Sequence, residues 1–531
     1  MSLQREIKKR RTFAIISHPD AGKTTMTEKL LLYGGAINMA GTVKAKRAKK
    51  FATSDWMELE KQRGISVTSS VMNFPYLNCE MNLIDTPGHQ DFSEDTYRTL
   101  TAVDSALMMI DAANGVEDQT KKLYEVCSLR KTPIMTFINK MDREGRDPFE
   151  LLEEIEQVLG ISVSPVTWPI GMGQSFRGVF HRIERKLLIY EKNAERSKPV
   201  PLKNVNLDLE ELKQVLSAEE AETLLTEIEL LDGAGDSLDI ERYLQGELAP
   251  VFFGSALNNF GIEPMLQALV NIAPAPLPRE AVERKVLPEE NKFTSFIFKI
   301  QANMDPAHRD RVAFMRICSG KFERGMKAHI VRLGKDQRLG RPTQFMSQDR
   351  SLVDEAYAGD IVGIHDPGVF KIGDTLTEGE KLHYTGVPVF APEHFCRVVL
   401  KDPMKSKQLN KALDQLSEEG AVQVFRSVVS NDQILGVVGI LQFDVVQYRI
   451  QHEYGVQVQF QGLPYRAARW LSSDDPKALQ EFVRAQGHLI CTDQHGDQAI
   501  LLEDLWRLNF LKERFPKIAY RSTAENVSAP S

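Results

Sequence analysis

The sequence predicts an N-terminal α/β domain of the P-loop type, followed by a β-barrel domain and a C-terminal α+β domain. Up to about residue 270, apolar strand-like runs alternate with amphipathic stretches, which is typical of a mostly parallel sheet covered on both faces. Beyond residue 291, short alternating runs are separated by Gly, Asp and Pro turns, which indicates a barrel. Beyond residue 388, helical and strand patterns mix. A chain of 531 residues is expected to divide into about three or four domains.

The composition places the domain boundaries. We expect a first domain over residues 1–275, in which an acidic segment at about 160–250 is an insertion. The proline-rich run that begins at Ala273 stiffens the chain and predicts a linker over 276–290. The barrel is expected over 291–387 and the α+β domain over 388–523, and the tail 524–531 has nothing to bury and is predicted to be disordered.

Bulk properties exclude several classes of protein. No apolar run approaches the ~18 residues of a membrane span, and the apolar segment behind the basic N-terminus is too short for a signal peptide. The five cysteines are scattered without a C-x-x-C pair, which fits a reducing cytoplasm. A net charge of −7 argues against general binding to DNA through the whole surface. We therefore expect a cytoplasmic protein without membrane contact.

A phosphate-binding loop is predicted directly behind the first apolar strand, where the next helix opens. Its backbone N–H groups and the helix N-terminus can hold phosphates, Lys23 can reach the β and γ phosphates, and Thr24 can ligate Mg²⁺. Gly-Lys-Thr alone recurs by chance, so this element needs support from others. The loop and the start of its helix comprise Ser17, His18, Pro19, Asp20, Ala21, Gly22, Lys23, Thr24 and Thr25.

A second element, Asp85-Thr86-Pro87-Gly88-His89, follows the strand that ends at Ile84. Asp85 at a strand end can hold the Mg²⁺ shell, the Gly88 N–H can contact the γ-phosphate, and His89 can orient a water for in-line attack. In isolation, the same residues could form an ordinary turn with a surface histidine.

The third element, Asn139-Lys140-Met141-Asp142, determines the base. The Asp142 carboxylate can accept hydrogen bonds from both N1–H and N2–H₂ of guanine, a donor pair that adenine lacks, and Lys140 can cover the ring. A fourth, weaker element supplies a backbone N–H for the guanine O6 and comprises Ser255, Ala256 and Leu257.

Four such elements in this order, each behind a strand, are very improbable as a coincidence. The sequence therefore predicts a GTPase that binds GTP or GDP with Mg²⁺. The segment that senses the γ-phosphate is expected within Arg63–Thr68.

These motifs resemble those of the translational GTPases, and among them the resemblance to the bacterial peptide chain release factor 3 family spans nearly all the chain. The segments that resemble this family in particular are Asp55–Ser66, Gln301–Pro306 and Ser417–Phe425. The resemblance implies a ribosome-dependent GTPase of translation termination. Such a protein stimulates dissociation of class I peptide release factors from the 70S ribosome after peptide release.

The resemblance also implies roles for individual residues. His89 would orient the attacking water, Asp20 would help order the active site, and Pro19 and Ile65 would form an apolar gate beside them. Ser66 stands where most members carry a threonine that ligates Mg²⁺, so the metal ligands would be Thr24, Ser66 and Asp85. A serine hydroxyl can still ligate the ion. The basic cluster Lys44–Lys50 lies in the switch I interval, and from this position we expect it to contact ribosomal RNA.

Three alternatives remain open from the sequence. A translocase of the elongation factor G type and a ribosomal-protection protein share the first two domains, but both need further C-terminal domains. A non-enzymatic GTP-gated binding module would differ only in turnover, and His89 beside Asp85 favours hydrolysis. No amphipathic seam indicates an oligomer, so we expect a monomer.

Overall fold

The structure is a computed structural model that describes residues 2–36, 67–190, 209–302, 311–340, 342–346, 349–387, 390–430 and 432–522. The predicted tail 524–531 lies outside these ranges. Within them, no helix has the length and apolar character needed to cross a lipid bilayer.

The first part of the chain alternates strands and helices. Its strands are β1 Arg10–Ser17, β2 Ser70–Tyr76, β3 Cys79–Asp85, β4 Ser105–Asp111, β5 Ile134–Asn139, β6 Ser162–Pro165, β7 Thr167–Ile170, β8 Gly178–His181, β9 Lys186–Ile189 and β10 Leu248–Phe253. Its helices are α1 Leu3–Lys8, α2 Lys23–Tyr33, α3 Ser93–Leu100, α4 Asp118–Leu129, α5 Pro148–Leu159, α6 Leu209–Leu212, α7 Ala218–Ala234, α8 Ile240–Leu244 and α9 Ile262–Asn271.

Seven of these strands form one sheet in the order β2-β3-β1-β4-β5-β10-β6. All neighbours are parallel except β2, which pairs with β3 antiparallel. The central strand β4 is buried along its whole length, as expected when helices cover both faces of a parallel sheet. The predicted α/β architecture is therefore confirmed.

The acidic stretch between β6 and β10 contributes a small antiparallel sheet, β7-β8-β9, and the helices α6 to α8. Ser217 caps helix α7: its hydroxyl accepts a hydrogen bond from the Glu220 N–H, while the Glu220 carboxylate accepts one from the Ser217 N–H. The fully buried Trp168 donates a hydrogen bond to Glu227 of this helix at 2.7 Å. Burial raises the pKa of the Glu227 carboxyl.

The second part of the chain is almost entirely β structure. A short antiparallel pair, β11 Arg279–Glu280 and β12 Lys285–Val286, precedes it. The strands that follow are β13 Thr294–Ala302, β14 Arg311–Ser319, β15 Lys321–Glu323, β16 Lys327–Ile330, β17 Lys335–Arg338, β18 Thr343–Met346, β19 Asp349–Leu352, β20 Glu355–Tyr357, β21 Ile361–His365 and β22 Thr375–Thr377. Eight of them form an antiparallel sheet in the order β17-β16-β22-β13-β14-β21-β18-β19, and β15 pairs with β20.

Strand β14 is buried on both faces, for two different reasons. Ala313, Met315 and Ile317 point into the core of the β domain. On the alternate positions, Val312, Phe314 and Cys318 belong to the core that the β domain shares with the first domain. The first two domains are therefore joined by an apolar interface, whereas an exposed barrel strand would alternate apolar and polar residues.

The third part is an α+β domain. Its strands are β23 His394–Leu400, β24 Gln423–Ser427, β25 Gln433–Val437, β26 Val458–Leu463, β27 Ala467–Ser472, β28 Ile490–Asp493, β29 Gln498–Leu502 and β30 Ala519–Arg521, and its helices are α10 Ser406–Glu418, α11 Leu441–Tyr454, α12 Pro476–Ala485 and α13 Leu505–Arg514. All eight strands form one sheet in the order β26-β23-β25-β24-β28-β29-β27-β30. The predicted α+β class is confirmed.

A buried ion cluster lies within the interface between the first two domains. Asp104, which precedes β4, pairs with Arg316 of β14 and, at 2.9 Å, with Arg279. The Asp104 and Arg316 side chains are 0% and 1% exposed, and burial lowers the pKa of the Arg316 guanidinium. A charge in such surroundings is tolerated only because its partner is present.

We therefore expect Arg316→Met to destabilise the protein by about 3 kcal/mol, since it leaves Asp104 buried with one cation fewer. Thermal and urea unfolding of the full chain would measure the change. Arg324→Met is the matched control, because Arg324 pairs with Asp354 on the surface, where a pair contributes less than about 1 kcal/mol. Equal shifts for the two variants would contradict the importance of the buried cluster.

Candidate nucleotide-binding site

The predicted site elements meet at one edge of the parallel sheet. Strands β1, β3, β5 and β10 run in the same direction and end at Ser17, Asp85, Asn139 and Phe253. The loops that follow these ends are the four elements that the sequence indicates. Ligands of open α/β sheets bind at this carboxyl edge.

The loop between β1 and α2 has the backbone shape of an anion cradle. Asp20 and Gly22 both adopt the left-handed conformation, with φ of 64° and 98°. A Cβ added to Gly22 would lie 2.3 Å from the Asn139 amide nitrogen, so both conformation and space require glycine there. Lys23 opens the helix and is buried, and Thr24 and Thr25 follow half-buried on its first turn. Ser17 is fully buried at the end of the strand, and His18, Pro19 and Ala21 complete the loop.

Asn139 joins two of the loops. Its amide nitrogen donates a hydrogen bond to the Ala21 carbonyl at 2.8 Å, and its amide oxygen accepts one from the Ala256 N–H at 2.8 Å. Asn139 is 2% exposed, so these are interior bonds. Asn139 therefore fixes the distance between the phosphate-binding loop and the Ser255–Leu257 loop.

Lys140 is held by a residue that sequence reasoning missed. Its ammonium lies 2.6 Å from Asp111, at the end of β4. Lys140 also has a left-handed φ of 68°, which turns the chain sharply after β5. Asp142 lies half-buried beyond this turn. The signal for Asp111 was present, since an acidic residue ends an apolar strand there just as Asp85 does.

The Ser255–Leu257 loop folds back on itself at the far side of this edge. Ser255 is fully buried, its N–H bonds the Phe260 carbonyl, and its hydroxyl accepts a hydrogen bond from the Asn258 N–H. Leu257 is half-buried. The backbone of the loop is therefore fixed, as a donor to a base oxygen must be.

The segment behind β3 crosses the phosphate-binding loop. Asp85 is 2% exposed at the strand end. A Cβ added to Gly88 would lie 3.2 Å from the Lys23 ammonium and 3.4 Å from the Pro19 Cα. The Thr86 hydroxyl donates to the Ile15 carbonyl at 2.7 Å and anchors the segment on β1. The Lys23 amine, the Asp85 carboxylate, the Thr24 hydroxyl and the backbone N–H groups of the loop thus lie at the same edge of the sheet. These are the groups that a triphosphate with Mg²⁺ requires.

His89 lies at the start of a 3₁₀ turn, Gln90–Phe92, and its ring contacts that turn. The ring Nδ1 is 3.3 Å from the Asp91 N–H nitrogen and 3.4 Å from the Asp91 carboxylate. The side chain is 32% exposed, so the ring is accessible from solvent. Asp91 is another residue that sequence reasoning missed, although it lies only two positions after His89.

Part of the predicted site lies outside the described residues. The residues concerned are Ile65, Ser66 and the Lys44–Lys50 cluster, together with the Asp55–Gly64 segment and residues 303–306 of the Gln301–Pro306 segment. Val67, the first described residue after this gap, is buried against Phe92 and Val445.

Comparison with known families agrees with this geometry. Residues 8–275 match the Elongation factor Tu GTP binding domain, residues 292–379 match Elongation factor G domain 2, and residues 384–512 match the Class II release factor RF3, C-terminal domain. The chain therefore binds guanine nucleotide and hydrolyses GTP.

Two individual proteins are similar over most of the chain. A crystal structure of a protein from Thermus thermophilus superposes with a TM-score of 0.69 at 24% identity, covering 92% of this chain and 72% of that one, which concerns the fold alone. The peptide chain release factor 3 of Symbiobacterium thermophilum is 54% identical over 526 residues, 99% of each chain. The chain therefore belongs to the peptide chain release factor 3 family of translational GTPases.

Proposed function

We propose that this protein is a ribosome-dependent GTPase of translation termination that promotes dissociation and recycling of class I peptide release factors after peptide release. The observation that carries the proposal is the convergence of four nucleotide-binding elements in one chain with a release-factor C-terminal domain. That C-terminal match favours termination over the translocase and ribosomal-protection alternatives. The 70S ribosome and class I release factors are the proposed partners, and we propose that the protein acts in the cytoplasm as a monomer.

In this proposal the guanine base is read at the Asn139–Asp142 turn. Asp142 accepts the two base N–H donors, and Lys140, held by Asp111 at 2.6 Å, lies along the ring. The Ser255 and Ala256 N–H groups already bond the Phe260 carbonyl and Asn139, so the Leu257 N–H is the proposed donor to the guanine O6. Adenine offers the opposite donor pattern, which gives the selectivity for GTP.

The phosphates lie on the loop between β1 and α2. Its N–H groups and Lys23 neutralise the negative charge, and the Gly88 N–H senses the γ-phosphate from the opposite side. Thr24 and Asp85, with Ser66, are the proposed Mg²⁺ ligands, and the bound ion would neutralise charge that develops on the phosphate oxygens.

We assign the hydrolysis of GTP to His89, which acts together with the residues around it. We propose that the ring turns toward the γ-phosphate and orients a water for in-line attack, while Asp20 orders the site and Pro19 and Ile65 limit access. In the described structure the ring contacts Asp91 instead. The productive orientation therefore requires a rearrangement, which we assign to ribosome binding.

Asp142→Asn tests the assignment of the base. The amide replaces one acceptor by a donor, so the affinity for GTP should fall at least about 100-fold, roughly 2.7 kcal/mol, while the affinity for xanthosine triphosphate rises. Equilibrium titration with fluorescent nucleotides would measure both. Asp147→Asn is the control, since Asp147 caps α5 nearby and asparagine caps equally well. Unchanged selectivity would remove Asp142 from the site.

His89→Ala tests the assignment of hydrolysis and the role in termination together. Ribosome-stimulated GTP turnover should fall by at least about 100-fold, within the range attributed to positioned proton-transfer and water-orienting groups, while GTP affinity stays unchanged. On 70S ribosomes stalled at a stop codon, loss of a labelled class I release factor should be accelerated by the unaltered protein. GTP turnover without faster dissociation of the labelled release factor would leave the GTPase assignment intact and would reject the role in termination.

A further inference from the structure

The third domain contacts the first domain directly beside His89. The Leu441 N–H, in the first turn of helix α11, donates a hydrogen bond to the Asp91 carboxylate at 2.7 Å. The first N–H groups of a helix have no partner within it, so Asp91 acts as a cap supplied by another domain. A carboxylate at this position is also favoured by the helix dipole.

The close approach requires a glycine in the third domain. A Cβ added to Gly439 would lie 2.3 Å from the Asp91 Cα and 2.5 Å from its Cγ, closer than side chains can pack. The Gly439 N–H bonds the Gln442 side chain at 3.0 Å, which holds the turn ahead of α11. Gly439 therefore permits the contact between the two domains without belonging to the nucleotide site.

Apolar packing accompanies the hydrogen bond. Val67, Phe92 and Val445 are each 4–6% exposed and form one cluster, with Leu441 and Tyr448 packed against it. Val67 lies within the segment predicted to sense the γ-phosphate, and Phe92 follows Asp91. Both segments expected to respond to the nucleotide therefore pack on one helix of the third domain.

The other side of Asp91 contacts His89. Its backbone N–H and its second carboxylate oxygen lie 3.3 and 3.4 Å from the His89 Nδ1. Among the described residues these are the only polar contacts of the His89 ring, and neither reaches the phosphate-binding loop. A ring held in this way is oriented by the Gln90–Phe92 turn, and that turn is fixed from outside by α11.

We propose that Asp91 is a positioning residue through which the docked third domain restrains His89 away from the γ-phosphate. Separation of α11 from Asp91 releases the Gln90–Phe92 turn and allows the ring to turn toward the attacking water. The contact thus couples the arrangement of the domains to the rate of GTP hydrolysis. This inference rests on the proposed role of His89.

Gly439→Ala separates the domains at this point without altering the first domain. In the full chain without ribosomes, we expect kcat for GTP to rise about fivefold or more, the lower end of typical coupling between sites, with KM for GTP unchanged. Asp91→Ala should give the same rise, and the double variant should exceed neither single variant. Asp91→Asn retains an acceptor for the Leu441 N–H, so its kcat for GTP should equal that of the unaltered protein.

Gly462→Ala is the matched control, because it changes a third-domain glycine with no other atom within 4 Å of the added methyl. Thermal unfolding and GTP affinity of each variant establish that it is folded. If Gly439→Ala does not fold, Asp91→Ala carries the test. An unchanged or lower kcat in either folded single variant would overturn the restraint.

The same variants in a His89→Ala background separate the restraint from the proposed function. If the rise disappears without His89, the restraint acts through that ring. If it persists, the restraint on His89 is rejected, although the protein remains a GTPase. Should His89→Ala leave ribosome-stimulated turnover intact, the proposed role of His89 fails on its own evidence.

Discussion

The side-chain amide of Asn139 is the interaction on which the nucleotide site depends. It uses one donor and one acceptor to bridge two backbone loops that are more than 230 residues apart in sequence. Only an amide of this length offers both functions in one plane, since a carboxylate could not donate to the Ala21 carbonyl. Because the amide is buried, water does not compete with either bond, and the two loops keep a fixed separation.

The domains are joined by a different kind of interaction. Strand β14 places one face in the β domain's own core and the other against the first domain, and Asp104 with its two arginines lies within that interface. The apolar burial stabilises the interface. The ion cluster adds specificity, since any other relative placement would leave a buried charge without its partner. The third domain contacts the site through fewer groups, chiefly around Asp91 and α11.

Much of the fold and of the site could be predicted from the sequence, because the signals were local. A strand followed by a glycine-rich loop and a helix fixes the phosphate-binding loop, and Asp147 with Pro148 marks the start of α5 within a few residues. What could not be predicted depends on partners that only the folded chain brings together. Asp91 and Leu441 are 350 positions apart, and nothing near Asp91 in the sequence indicates that it caps a helix of another domain. Asp111 is a different case: it carried a local signal at the end of an apolar strand, but its partner Lys140 could be assigned to the base-binding motif without it.

The two-sided burial of β14 has a consequence for how the gene can be divided. A fragment that ended before the β domain would leave the first domain with an uncovered apolar face and would remove Arg316, one of the two cations that pair with Asp104. The residues on the two sides of this shared surface must therefore remain complementary. A substitution on one side changes which residues the other side can accept. Recombination that exchanged the β domain alone would have to exchange matching residues in the first domain as well.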